Sequence, residues 1–107
     1  MCGIAGLFDR TRSRTQDALD EAVRRMAATL HHRGPDDRGH WADPAGGIAL
    51  GHTRLSILDL SPNGHQPMVS ATGRFVMVFN GEIYNHQSLS SDLRVLGVAF
   101  RGYSDTE

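Results

Sequence analysis

Lysine is absent from the 107 residues: all eleven basic side chains are arginine. That absence removes a Walker-type phosphate loop, a Schiff-base lysine and a Ser–Lys dyad from this stretch, since each needs a primary amine. Cysteine is scarce as well. Cys2 is the only one, so no internal disulfide can form and nothing argues for an oxidising compartment. No apolar run approaches the roughly 20 residues that a membrane helix needs. Asp9 and Arg10 arrive too early for the charged-then-apolar opening of a signal peptide. A formal net charge of −1 supplies neither a basic field for nucleic acid nor a polybasic patch for a membrane. With 39% hydrophobic and 21% charged residues, the composition is that of one ordinary globular unit, cytoplasmic by default. The six histidines, His31, His32, His40, His52, His65 and His86, lack ligand spacing and a partner cysteine, so no metal site is expected. His31 and His32 offer a base, but no Ser or Cys lies near them in a recognisable nucleophile elbow.

Periodicity divides the chain. Gly3 to Phe8 is a short apolar run and reads as a buried strand. Leu19, Val23, Met26 and Leu30 then recur at helical spacing, with Thr15 as N-cap and Asp17 in the first turn. The charged segment His31 to Gly39 ends the helix at Gly34-Pro35. A strand at Gly39 to Ala42, a turn over Asp43 to Gly47, and a strand from Ile48 through Arg54 towards Leu58 follow. Pro62-Asn63-Gly64 marks a loop and Thr72-Gly73 a turn. Phe75 to Phe79 is apolar on both faces and predicts a central strand covered on both sides. Asn85 is placed to cap a second helix carrying Leu89, Leu93 and Leu96, with Gly97 at its C-terminal end and a strand over Val98 to Phe100. Strands with two amphipathic helices imply layers of helix around sheet.

The most informative stretch is Met1-Cys2-Gly3. Methionine aminopeptidases remove an initiator Met before a small side chain, which would leave Cys2 with a free α-amine beside its thiol. A free thiol, with a pKa of roughly 8.5, is a weak nucleophile at neutral pH and needs a base. An α-amine titrates at about 7.7–8.0 and can be that base. The competing explanation is an incidental cysteine near a terminus. Asn80-Gly81 is a strong hairpin-turn signal, yet a side-chain amide beside an unobstructed Gly N–H also makes an oxyanion hole. Arg54 is either a solvated strand-end residue or a bidentate clamp for a carboxylate. Asp105 is either a loop acid or an anchor for a substrate ammonium, and Asp36-Asp37 reads as turn chemistry.

Taken in order, Met1-Cys2-Gly3-Ile4, Arg33-Gly34-Pro35-Asp36, Arg54-Leu55-Ser56-Ile57, Asn80-Gly81-Glu82-Ile83-Tyr84-Asn85 and Ser104-Asp105-Thr106-Glu107 form five co-linear motifs. This pattern resembles the N-terminal glutaminase domain of class II glutamine amidotransferases, in the glutamine-hydrolysing asparagine synthetase branch. The resemblance implies an α+β fold, the four-layer αββα sandwich of N-terminal-nucleophile hydrolases, incomplete in residues 1–107. It implies Cys2 as nucleophile and Asn80 with Gly81 as oxyanion donors. It also implies Arg54, Leu55, Ser56, Ile57, Leu58, Glu82 and Asp105 as contacts for L-glutamine. No cofactor is implied for this segment. ATP and Mg would belong to a C-terminal synthetase domain of the same chain, which would receive the ammonia and amidate aspartate. A homodimer is compatible with the resemblance. Alternatives are an acceptor other than aspartate, such as a peptide or cell-surface precursor, and a non-catalytic interaction domain. The family's domain is longer than this chain, so the isolated 107 residues are expected to fold poorly or lack activity.

Overall fold

A computed structural model describes residues 1–57 and 59–107. In chain order the elements are β1 (Gly3–Phe8), α1 (Gln16–Ala28), β2 (Asp37–Asp43), β3 (Ile48–Arg54), β4 (Met68–Val69), β5 (Val76–Met77) and α2 (His86–Val95). Two single 3-10 turns, His31–Arg33 and Pro62–Gly64, interrupt the loops. The result is a small α+β unit with two sheets and two helices. None of the described helices is long and apolar enough to cross a membrane.

The larger sheet is antiparallel in the order β1-β3-β2. Its register runs from Gly3 opposite Thr53 to Phe8 opposite Ile48, and from Asp37 opposite Arg54 to Asp43 opposite Ile48. Helix α1 starts where Thr15 Oγ1 accepts the Ala18 N–H at 3.2 Å, with Asp17 in its first turn and Arg25 in its last, as the helix dipole favours. Leu19 and Val23 are fully buried and form the core with Ala5 and Ala49, flanked by Leu7, Leu30 and Ala42. Met26 lies at the margin of this face and is 38% exposed; Ala27 takes the buried position instead.

Because side chains alternate along a strand, β3 shows two different faces. Ala49 and Thr53 face α1, and Thr53 Oγ1 donates to the Leu30 carbonyl at the helix end. His52 and Arg54 face the other way and are also buried, against the loops that follow β3. β1 is therefore covered on one side only: Ala5 is buried while Ile4 and Phe8 are exposed, which corrects the expectation of a fully buried strand.

Three expectations shrink. The strand from Ile48 stops at Arg54 because the next two N–H groups leave the ladder, Leu55 for Cys2 Sγ and Ser56 for the Asp36 carboxylate. The predicted strand Phe75 to Phe79 reduces to Val76–Met77, paired with β4 around a Thr72-Gly73 turn. Its extension ends because Phe79 gives its N–H to the Gln66 side chain and its carbonyl to His52. Phe75 and Met77 stay exposed among the described residues rather than covered on both faces. Val98 to Phe100 forms no strand. Helix α2 lies where the leucine spacing put it, although Asn85 makes no side-chain cap bond and no residue of it is buried. Gly97 closes it with φ +89° while Val98 N–H reaches back to the Leu93 carbonyl and Gly97 N–H to that of Arg94, a Schellman ending.

Asp59 ties the polar side together. Its buried carboxylate accepts the Ser61 N–H at 2.8 Å and the Tyr103 N–H at 3.0 Å, joining the loop after β3 to the 101–107 segment. Hydrogen bonds from the Ser61 hydroxyl and these two amides hold its pKa down, to about 2. A carboxylate depressed in the folded state contributes stability above its unfolded pKa, and loses it as pH falls through the folded value. Stability of the chain should therefore drop between about pH 4 and pH 2, and Asp59→Asn should make that drop shallower, measured by denaturant titration at each pH. The remainder comes from Asp9, whose carboxyl is held down to about 2 as well. An unchanged acid slope in the variant would contradict this role. Leu19→Ala should cost about 2–5 kcal/mol by creating a cavity in the core. Met26→Ala, at the exposed margin, should cost clearly less in the same titration.

Candidate functional site

β1 sets the position of Cys2. With Gly3 opposite Thr53, Cys2 comes next to the end of β3, on the face that carries Ile4, His52 and Arg54 rather than the face that packs on α1. Its Sγ accepts the Leu55 N–H at 3.4 Å, and its own carbonyl accepts Arg33 Nε at 3.1 Å. The Arg33-Gly34-Pro35-Asp36 segment holds both sides of this junction. Asp36 N–H donates to the Arg54 carbonyl at 3.0 Å, and Asp36 Oδ2 accepts the Ser56 N–H at 2.8 Å. Gly34 lies so close to the backbone of Thr53 and Arg54 that a Cβ there would sit 2.5 Å from Thr53, so only glycine fits. Asp36 and Asp37, read as turn chemistry, instead bridge elements: Asp37 opens β2 and its carboxylate meets His65 Nδ1 at 2.7 Å.

A cavity of about 320 Å³ opens at this end of the sheet, and the chain brings most of the sequence-predicted residues to it. Cys2, Arg54, Leu55, Ile57, Asn80, Gly81, Glu82 and Asp105 all line it. Ser56 does not line it: its N–H is turned to Asp36. Leu58 lies outside the described residues. Met1 also borders the cavity, 74% exposed, so loss of Met1 would leave the Cys2 α-nitrogen at the cavity wall.

Neither alternative for Arg54 describes it fully. It is buried rather than solvated, and its guanidinium donates to the carbonyls of Asp59 and Ser61, the latter at 3.1 Å. Two such bonds leave further N–H groups of a five-donor fork for a carboxylate in the cavity. Asp105 is likewise anchored, Oδ2 accepting the Ile83 N–H at 2.7 Å. A second cavity, about 540 Å³, lies between α2 and residues 100–107 and shares only Asp105 with the predicted set.

Sequence reasoning missed Gln66, Phe79 and Thr106, which also line the Cys2 cavity. Gln66 and Thr106 are buried polar residues bonded to each other at 3.3 Å. Thr106 lay inside a quoted motif; for Gln66 the one signal was a polar residue placed directly before Pro67 in a loop. His52, dismissed as a ligand, is 1% exposed, and its Nε2 lies 3.2 Å from the Phe79 carbonyl. Burial pushes its pKa down, so the ring is neutral at pH 7 and Nε2–H is the donor that this carbonyl requires. Among the described residues no three His, Cys, Asp or Glu side chains are grouped to hold a metal ion. The site's chemistry is that of a thiol, an amide, a guanidinium and two carboxylates.

Comparison with known proteins places the chain in a family. The model of the glutamine amidotransferase domain family matches residues 1–107. Over all 107 residues the chain is 37% identical to asparagine synthetase [glutamine-hydrolyzing] 1 of Bacillus subtilis (strain 168) and 39% identical to its asparagine synthetase [glutamine-hydrolyzing] 2. It is 35% identical to amidase chry2 of Gibberella zeae, with the whole chain covered. The chain spans only 16%, 14% and 17% of these relatives. No solved structure is a significant match. The chain belongs to the glutamine amidotransferase domain family.

Proposed function

We propose that this chain carries the glutamine-hydrolysing site of an amidotransferase, with Cys2 as its nucleophile. The observation that supports the reading most strongly is the position of Cys2 Sγ, against the Leu55 N–H in a cavity shared with Asn80, Gly81, Arg54 and Asp105. After removal of Met1 the α-amine of Cys2 takes the thiol proton, and Sγ attacks the side-chain amide carbon of L-glutamine. Asn80 Nδ2 and the Gly81 N–H stabilise the tetrahedral oxyanion. Arg54 holds the α-carboxylate and Asp105 the α-ammonium, with Glu82, Leu55 and Ile57 completing the pocket. Collapse of the intermediate passes the proton to the leaving nitrogen, releases ammonia and leaves a γ-glutamyl thioester. Water then attacks that thioester, giving glutamate and regenerating the thiol.

In the whole protein the ammonia would pass to a C-terminal synthetase domain using ATP and Mg, with aspartate as the acceptor, and the complete domain would be an αββα sandwich. The runner-up is an acceptor other than aspartate, such as a peptide or cell-surface precursor. The glutaminase half-reaction is the same in both.

The test uses the complete product of the reading frame and a diazo-ketone electrophile that mimics glutamine, followed by intact mass and a peptide map. A single adduct on Cys2, in chains that lack Met1, is the expected result. No adduct on a folded chain correctly freed of Met1 would mean a dead glutamine site and would leave an interaction domain as the better reading. Asn80→Ala should lower kcat for glutamine hydrolysis by about 10²–10³ with little change in KM, because an oxyanion donor acts only on the transition state.

A further inference from the structure

Asn80 and Gly81 are exposed and stand on a loop, yet oxyanion donors must be held rigidly to act. The backbone on either side of them is fixed at two points. At Phe79 the N–H donates to Gln66 Oε1 at 2.6 Å, and the carbonyl lies 3.2 Å from His52 Nε2. At Ile83 the N–H donates to Asp105 Oδ2 at 2.7 Å. These two anchors are joined: Gln66 Nε2 donates to Thr106 Oγ1 at 3.3 Å, and Thr106 follows Asp105. The chain Phe79–Gln66–Thr106–Asp105–Ile83 thus closes a ring around Asn80-Gly81-Glu82.

Both anchors at Phe79 come from buried polar side chains, His52 at 1% and Gln66 at 5% exposure. Burying an amide and an imidazole is costly unless their polar atoms are paired. Here both amide atoms of Gln66 and Nε2 of His52 are used on this one ring. His52 cannot be displaced easily, because it belongs to the central strand β3 and is paired with Ile4 of β1 and Gly39 of β2. The rigid sheet is therefore connected to the donor loop through one imidazole.

We propose that Gln66 and His52 are positioning residues that grip both polar groups of the Phe79 peptide and so aim the Asn80 amide and the Gly81 N–H at the cavity. This rests on the oxyanion role proposed for Asn80 and Gly81. Misplacing an oxyanion donor weakens the transition state while leaving ground-state binding and the nucleophile untouched.

The experiment compares the complete reading-frame product, freed of Met1, with Gln66→Met, His52→Leu and His52→Gln. Steady-state glutamine hydrolysis is measured beside the rate of Cys2 alkylation by iodoacetamide, a displacement at carbon that needs no oxyanion donor. Gln66→Met and His52→Leu should lower kcat about 10- to 100-fold. For His52→Leu, KM should stay within about threefold and alkylation should be unchanged. Gln66→Met also releases Thr106 beside Asp105, so it is read on kcat against alkylation alone. His52→Gln, whose amide can donate to the Phe79 carbonyl, should recover a large part of the loss. Unchanged kcat in the first two variants would overturn the proposal, as would a loss of kcat matched by an equal loss of alkylation. If Gln66→Met fails to fold, the contrast between His52→Leu and His52→Gln decides in the same way: equal activities overturn the proposal. A wild-type chain that alkylates at Cys2 but does not hydrolyse glutamine would overturn the glutaminase reading itself, and this inference with it.

Discussion

The pairing of β1 with β3 is the constraint on which the site depends. In that register Gly3 stands opposite Thr53, and a slip of one residue would turn every side chain of β1 to the other face. Ala5 would leave the core under α1, and Cys2 would leave the face that carries His52 and Arg54. The core and the placement of Cys2 are therefore specified by the same set of hydrogen bonds. Arg33 on the Cys2 carbonyl and Asp36 on the Arg54 carbonyl and the Ser56 N–H fix the register at the end that borders the Cys2 cavity.

The two faces of β3 divide the work of the chain. One is apolar and buries Leu19 and Val23 against Ala49, which holds the helix to the sheet. The other buries an imidazole and a guanidinium, groups that cost free energy to desolvate and are tolerated because each is hydrogen-bonded to backbone carbonyls. Arg54 organises the loop at Asp59 and Ser61, while His52 organises the segment that leads into Asn80. The polar interior is thus a set of brackets for loops, and the cavity is the space between those loops.

The local elements with strong periodicity were legible in the sequence. Leu19 and Val23 at helical spacing, the Thr15 cap, the Thr72-Gly73 turn and Gly97 at the end of α2 all act locally, and the structure has them where the pattern put them. Phe75 to Phe79 was misread because its length as a strand depends on distant side chains. Gln66 and His52 take the backbone groups of Phe79 that a neighbouring strand would otherwise use. Met26 was placed in the core by spacing, but Ala27 is the residue buried there, since the sheet meets the helix slightly off the predicted stripe. The motif residues Cys2, Arg54, Asn80, Gly81, Glu82 and Asp105 line one cavity. Gln66 escaped notice, and the role of His52 did, because nothing in their spacing shows that their partner is a peptide group rather than a metal or a substrate.

The claim at the centre of this account is that Cys2 becomes covalently acylated by glutamine. It is tested most directly by quenching the complete, Met1-free protein in acid during turnover with isotopically labelled glutamine, then mapping the label. One glutamyl group bound as a thioester to the N-terminal peptide, released by hydroxylamine and absent from Cys2→Ala, is the predicted result. Continued glutamine hydrolysis by Cys2→Ala, or label on any other residue, would contradict it.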